Sequence, residues 1–370
     1  MNSLGEKIAD AVLYEGYILY PYRPSAVKNQ QRWNFGALCP KSYSDAQGGT
    51  ESWTMQTECL VQGGPETELT VKVRFLHLLP REVRVPISNL KSEISDLKTE
   101  AVSDAQFQTV PALEVNGKLL QTWQEAVERD VVLPSIKLGE LQKFGGHSVS
   151  SSGEFVQSTQ LTQFQFSFPA SEATETLRDE ISGATVGLLV RGQQAIEGAI
   201  EISATAVGDN ALKITIQILN HTPLPHPGRQ SRDDALMRSF VSTHTILSAE
   251  KGEFVSLLDP PQALREAAAG CSNIGTYPVL VGEEGSRDCV LSSPIILYDY
   301  PQIAPESAGN LYDGTEIDEI LTLRIMTLTD EEKREMRGAD DRARQILERT
   351  ETLPLEQLMK MHGAMKSVKR

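Results

Sequence analysis

Between residues 199 and 219 apolar side chains take every second position, Ile200 and Ile202 in one run and Leu212, Ile214, Ile216 and Ile218 in the next. A period of two sends alternate side chains to opposite faces of a strand, and the runs meet at Gly208-Asp209-Asn210, a turn-forming tripeptide. An antiparallel pair with one face in a core satisfies that pattern, because a register slip of one residue would expose the whole isoleucine set. Segments 162–168 and 184–190 share the β-branched and aromatic bias. Segments 240–247 and 253–258 predict a further hairpin turning at Glu250-Lys251-Gly252.

The first eighty residues also read as sheet. Segments 12–20, 33–38, 52–61 and 69–76 are separated by clusters of Pro, Gly, Ser and Asp. In the last, Val71, Val73 and Phe75 alternate with Thr70, Lys72 and Arg74. A four-stranded antiparallel sheet is the expectation. The period then changes: Ile87, Leu90, Ile94, Leu97 and Ala101 are spaced for an amphipathic helix after Pro86. Asn116-Gly117 between residues 113–115 and 118–120 predicts a tight hairpin with a type I′ turn.

Toward the C-terminus Ile317, Ile320, Leu321, Ile325 and Leu328 fall on one helical face. Thr329-Asp330-Glu331-Glu332 is a capping box, and Pro354 opens a last helix toward Met365. The predicted fold is α+β: two β-rich antiparallel units with a helical C-terminal segment. The Ser-rich stretch 147–153 marks the boundary, giving divisions at 1–146, 154–312 and 313–370.

The chain has 35 basic and 50 acidic residues, a net charge of −15, which disfavours a general nucleic-acid or anionic-membrane binder. The first seventeen residues carry Glu6, Lys7, Asp10 and Glu15 and no apolar core of a secretory signal. No run of 18 apolar residues could span a membrane. Cys39, Cys59, Cys271 and Cys289 form no CxxC and read as reduced thiols, which together with the N-terminus predicts a cytoplasmic protein.

Nucleotide-binding glycine loops, the HExxH zinc motif and the GxSxG nucleophile elbow are all missing. His221 and His226 share a proline-rich loop that either presents a ligand or is simply solvated. Cys271 after Gly270 fits a thiol behind a helix cap as well as a nucleophile. No cofactor is predicted.

Two segments stand out. From Val12 to Gly36 the chain carries Arg23, Lys28 and Arg32 against the single acid Glu15, together with Tyr14, Tyr17, Tyr20, Tyr22 and Trp33. Guanidinium and aromatic groups give bidentate recognition and contact area at low entropy cost, so a partner surface is one reading and a sheet core the other. From Asp288 to Leu323 there are seven acids and no Lys or Arg. Tyr298-Asp299-Tyr300-Pro301 suits an extended stretch crossing the surface, whereas Asp313-Gly314-Thr315-Glu316-Ile317-Asp318-Glu319 lacks calcium-loop spacing. Those acids either open a helix or face the basic segment, on this chain or on a partner.

These segments, Glu15-Gly16-Tyr17 through Tyr20-Pro21-Tyr22-Arg23-Pro24-Ser25 to Phe35-Gly36, and Ser293-Pro294-Ile295-Ile296-Leu297-Tyr298-Asp299-Tyr300-Pro301 with 313–323, resemble a family of accessory proteins encoded in [NiFe]-hydrogenase gene clusters. The likeness covers residues 12–36 and 237–340. It implies a non-catalytic role in hydrogenase maturation or assembly, through a protein partner that is a hydrogenase subunit, its precursor or a maturation factor. The contacts expected are Tyr20, Tyr22, Arg23, Lys28, Asn29, Arg32 and Trp33, with Asp313, Glu316, Asp318 and Glu319 as a second face. Two other readings stay open: a nickel- or iron-handling protein using carboxylates with His221, His226 or a cysteine, and an enzyme with a cleft between the β units.

Overall fold

One strand organises the sheet. The computed structural model describes residues 3–14, 34–87, 107–143, 147–149, 155–157, 161–208, 210–302, 322–339 and 341–354. In it β1 runs over Thr54–Pro86. At about 3.3 Å per residue a straight strand of that length would span on the order of 110 Å, so it has to bend. Against β14 (Val241–Val255) the register passes from Gly63↔Gly252 to Glu68↔Glu250, which leaves Gly64, Pro65, Glu66 and Thr67 as a bulge. Lys251 opposite takes a φ of 58°. The turn expected at Glu250-Lys251-Gly252 is therefore a kink inside one continuous strand. Segments 240–247 and 253–258 pair with β1 and not with each other, and segments 52–61 and 69–76 are two parts of β1 itself.

Both edges of β1 are occupied. On one, β13 (Ala211–Asn220) pairs with residues 54–62. Beyond the bulge β6 (Ile136–Lys137), β5 (Trp123–Val132) and β2 (Phe107–Val110) take over that edge. On the other edge β14 gives way to β11 (Thr185–Gln193) at residues 81–84. Outward from β13 lie β12 (Ile196–Gly208) and β9 (Thr162–Phe168). Outward from β14 lie β16 (Cys289–Ser293) and β15 (Tyr277–Leu280), and β10 (Ser171–Arg178) pairs with β11. These strands form one antiparallel sheet of twelve. It crosses residues 147–153, since β1 pairs with strands from beyond them. Part of that Ser-rich stretch is itself β7 (His147–Val149), hairpinned with β8 (Phe155–Gln157).

The isoleucine alternation sits where its period requires. Ile200 faces Ile218 and Ile202 faces Ile216 across β12 and β13, and all four are buried. They join a core in which Phe75 lies 4.7 Å from Phe240 and 6.1 Å from both Phe166 and Phe168, centroid to centroid. The Asn-Gly hairpin also forms, β3 (Ala112–Val115) with β4 (Lys118–Gln121), with Asn116 and Gly117 at φ 51° and 75° as a type I′ turn demands.

The N-terminus differs from expectation. Residues 3–12 form helix α1 (Ser3–Val12) and residues 13–14 a turn, where the sequence predicts the start of a strand over 12–20; residues 15–20 lie outside the described residues. Ile8, Ala9 and Val12 turn one face onto Val279, Val281 and Leu291 of the sheet, while Glu6 pairs with Lys72 at 3.3 Å and Asp10 with Arg74. The four-residue spacing of Ile8 and Val12 puts both on one helical face. Of the strand expected over 33–38, residues 34–38 supply a single bridge, Leu38 to Phe240, and residue 33 lies outside the described residues. The expected strands 52–61 and 69–76 are therefore parts of the one bent β1 and not neighbours in a four-stranded N-terminal sheet.

Short helices α2 (Lys41–Ala46), α3 (Leu138–Lys143), α4 (Arg232–Leu236) and α5 (Arg265–Ala269) fill loops. Near the C-terminus α6 (Asp330–Ala339) and α7 (Asp341–Glu351) pack with Ile325 and Leu328 into a separate small core. The capping box forms: the Thr329 N–H donates to Glu332 Oε2 at 2.8 Å and the Glu332 N–H to Thr329 Oγ1 at 3.2 Å. The helices expected after Pro86 and from Pro354 lie outside the described residues, apart from Ile87 and Pro354 themselves.

Candidate functional site

All eleven contacts expected from sequence lie outside the described residues: Tyr20, Tyr22, Arg23, Lys28, Asn29, Arg32 and Trp33 of the first segment, Asp313, Glu316, Asp318 and Glu319 of the second. The described end of each segment is informative, because the two ends touch. Gly36 stands at φ 53°, and a Cβ there would lie 2.7 Å from Pro294 Cβ and 2.8 Å from its Cγ. Only glycine accepts both that backbone angle and that neighbour.

His244 on β14 ties the junction together. The Ser242 N–H donates to the Phe35 carbonyl at 3.0 Å and the Thr243 N–H to Gly36 at 3.1 Å, which anchors the first segment. His244 Nδ1–H donates to the Ser242 carbonyl at 2.7 Å, so its Nε2 is the acceptor and takes the Ser293 hydroxyl at 3.1 Å. Ser293 Oγ in turn accepts the Ile295 N–H at 3.1 Å, turning the second segment away from β16. Burial pushes His244 down to about 4, and its neutral ring is the form that holds both contacts. Ser242 is at φ 53°, where the β1–β14 register shifts between Arg74 and Leu76. Its buried hydroxyl and both amide atoms of Asn34 have no hydrogen-bond partner among the described residues.

From Pro294 the chain returns along the outer edge of β15. The Tyr300 N–H donates to the Leu280 carbonyl at 2.7 Å, and Asp299 accepts from the Leu280 N–H at 2.8 Å and from Ser256 Oγ at 2.5 Å. This is the extended surface stretch expected from Tyr298-Asp299-Tyr300-Pro301, and it covers a sheet edge that would otherwise stand open. Side chains alternate along it. Ile295 and Leu297 pack inward beside α1, while Ile296 is 70% and Tyr298 81% exposed. Phe35 at 47% and Tyr277 at 46% add apolar surface at the same junction, since Phe35 precedes Gly36 and Tyr277 pairs with Ser293. These four side chains leave apolar surface outside the core at one end of the sheet.

The other sequence candidates separate. His221 is exposed with its ring 6.2 Å from Trp53, and exposed His226 has a φ of 51° before Pro227. Among the described residues no three His, Cys, Asp or Glu gather where they could hold a metal ion. The four cysteines are free, and burial pushes the thiols of Cys39, Cys271 and Cys289 up to about 11, so they are protonated near neutral pH. Cys271 follows the Gly270 cap of α5 and gives its S–H to the Ala267 carbonyl, the structural alternative to a nucleophile. No helix among the described residues is long and apolar enough to cross a membrane.

Sequence reasoning missed His244 and Ser242. Both sit inside a run read simply as strand, and only the fold brings His244 to Ser293, 49 positions away. Gly36 and Pro294 were inside the two segments but carried no sign of each other. Compared with models of protein families and with curated proteins, the sequence matches none.

Proposed function

We propose that this chain is a non-catalytic cytoplasmic accessory protein that binds a [NiFe]-hydrogenase subunit or its precursor during maturation or assembly. The observation that carries the binding reading is the junction of Gly36 with Pro294, which unites the two segments of the resemblance and leaves Ile296 and Tyr298 exposed beside it. A pair of segments whose inner residues are fixed by hydrogen bonds and whose outer residues are bare apolar groups has the build of a pre-organised docking edge. Tyr20, Tyr22, Arg23, Lys28, Asn29, Arg32 and Trp33, with the acids at 313–319, extend that surface in this reading. The hydrogenase itself enters through the resemblance alone.

The test is direct mixing of the purified chain with purified hydrogenase large-subunit precursor, large subunit and small subunit, followed by size-exclusion chromatography. Co-elution with one of them at concentrations of about 10 μM supports the proposal. Separate elution from all three contradicts it.

A further inference from the structure

A cavity of about 930 Å³ opens between hairpin β3–β4, strands β10 and β11, and helices α6 and α7. It lies apart from the Gly36–Pro294 junction and shares no residue with it. Its lining carries eight Lys or Arg against five Asp or Glu, a reversal in a chain at −15. Among the described residues no aromatic side chain lines it, so recognition there falls to charge and hydrogen bonds.

The walls are fixed to one another. Asn116 of the hairpin turn donates through Nδ2 to the Arg178 carbonyl at 2.9 Å and accepts the Glu180 N–H at 3.0 Å, which staples the hairpin to the end of β10. A Cβ on Gly338 would lie 2.3 Å from the Leu119 carbonyl oxygen, so a glycine lets α6 sit directly on β4. Arg81 reaches across the floor, donating to the Gly338 carbonyl at 2.6 Å and to Glu125 at 2.8 Å. Arg191 shares that same carboxylate at 2.8 Å, so two guanidinium groups lean on Glu125. Lys333 and Arg337 likewise share Glu351, at 3.6 and 2.6 Å.

Three cations are left over, one from each wall: Lys118 on β4, Arg178 on β10 and Arg334 on α6. None has a carboxylate within ion-pair distance among the described residues; Arg178 gives one hydrogen bond to the Gly183 carbonyl at 3.3 Å and the other two give none. Two lining carboxylates, Glu180 and Asp330, also lack a cation among the described residues. Asp330 sits in the first turn of α6, where the helix dipole offsets part of its charge.

We propose that this cavity binds a small polyanion, a molecule of nucleotide size or less bearing two or more phosphate or carboxylate groups. Guanidinium groups on facing walls are the fitting recognisers, since each can take an anionic group through two parallel hydrogen bonds, and Lys118 adds a point charge. The volume falls within the range of small-ligand sites.

The experiment is calorimetric titration of the full chain with tripolyphosphate and, separately, with citrate, at about 50 mM salt where surface charge is weakly screened. Saturable binding of at least one probe with a Kd under about 1 mM is expected, weakening by about tenfold or more in Arg178→Ala/Arg334→Ala. Both positions are exposed, so the variant should melt with the wild type when no probe is present, which separates lost binding from lost folding. Tighter binding of tripolyphosphate assigns phosphate groups as the ligand chemistry, and tighter binding of citrate assigns carboxylates. Failure of both probes to bind, or equal affinity in the double variant, overturns the proposal.

Discussion

The core around Phe75 and the junction around His244 lie on the same strand pair, yet they are held by opposite means. Around Phe75 the packing is mainly apolar: Phe166, Phe168 and Phe240 meet its ring, the isoleucines of β12 and β13 join the same core, and a cation, Arg129, lies over the Phe168 ring at 4.6 Å. Around His244 the buried groups are Ser242, Thr243, Thr245, Ser292 and Ser293, with Ser292 Oγ joined to Thr57 at 2.8 Å and to Thr276 at 2.7 Å. Apolar burial is undirected and supplies stability, whereas hydrogen bonds supply little net energy but fix positions. The difference teaches that this sheet is stabilised in one place and uses that stability in another, to hold two segments in register at its edge.

The largest effect should come from the core. Phe75→Ala is expected to lose about 3–5 kcal/mol in urea unfolding, because truncation leaves a cavity among three other rings. A loss below about 1 kcal/mol would show that the aromatic cluster is not the stabilising centre.

Acid should act on the junction. His244 is held near 4 by burial against about 6.5 in an unfolded chain, so between those values the unfolded state binds more protons. Stability from this group is therefore complete above pH 6.5 and is lost as pH falls toward 4. His77, buried against Gln193 and also pushed down to about 4, adds a second such group on the core side. Replacing His244 with Gln should flatten the acid limb by about 1.4 kcal/mol per pH unit in denaturation curves collected across that window. An unchanged slope would mean that His244 already titrates normally in the fold.

A smaller loss is expected from Gly36→Ala, about 1–3 kcal/mol from the positive φ and the collision with Pro294. Repeating the substitution in a Pro294→Gly background, which removes both colliding atoms, separates the two causes. The loss should shrink there, and an equal loss in both backgrounds would assign all of it to the backbone angle.

How much of this was readable from sequence follows the same division. The strands β9, β11, β12 and β13 are legible nearly to their ends because local alternation (β12, β13) and β-branched or aromatic bias (β9, β11) decide them, and the Asn116-Gly117 turn and the Thr329–Glu332 capping box are local as well. The kink at Lys251-Gly252 was read as a hairpin because turn chemistry does not reveal whether the chain reverses or bends beside a bulge on its neighbour. The site was harder still. Gly36 and Pro294 are 258 positions apart, and Lys118, Arg178 and Arg334 come from three separate elements, so no window of sequence contains either arrangement.

The smallest expected effect on stability belongs to the variant that tests the proposed docking edge. Ile296→Ser/Tyr298→Ser removes exposed groups only, so its unfolding free energy should stay within about 0.5 kcal/mol of wild type. Arg23→Ala/Arg32→Ala is expected to behave likewise. If a hydrogenase subunit co-elutes with the chain as proposed, the decisive measurement is its equilibrium affinity for the wild type and for Ile296→Ser/Tyr298→Ser, taken alongside the melting temperature of each. Affinity lower by tenfold or more, about 1.4 kcal/mol, at an unchanged melting temperature is the expected result. Equal affinity in wild type and variant would contradict the assignment of this edge as the docking surface.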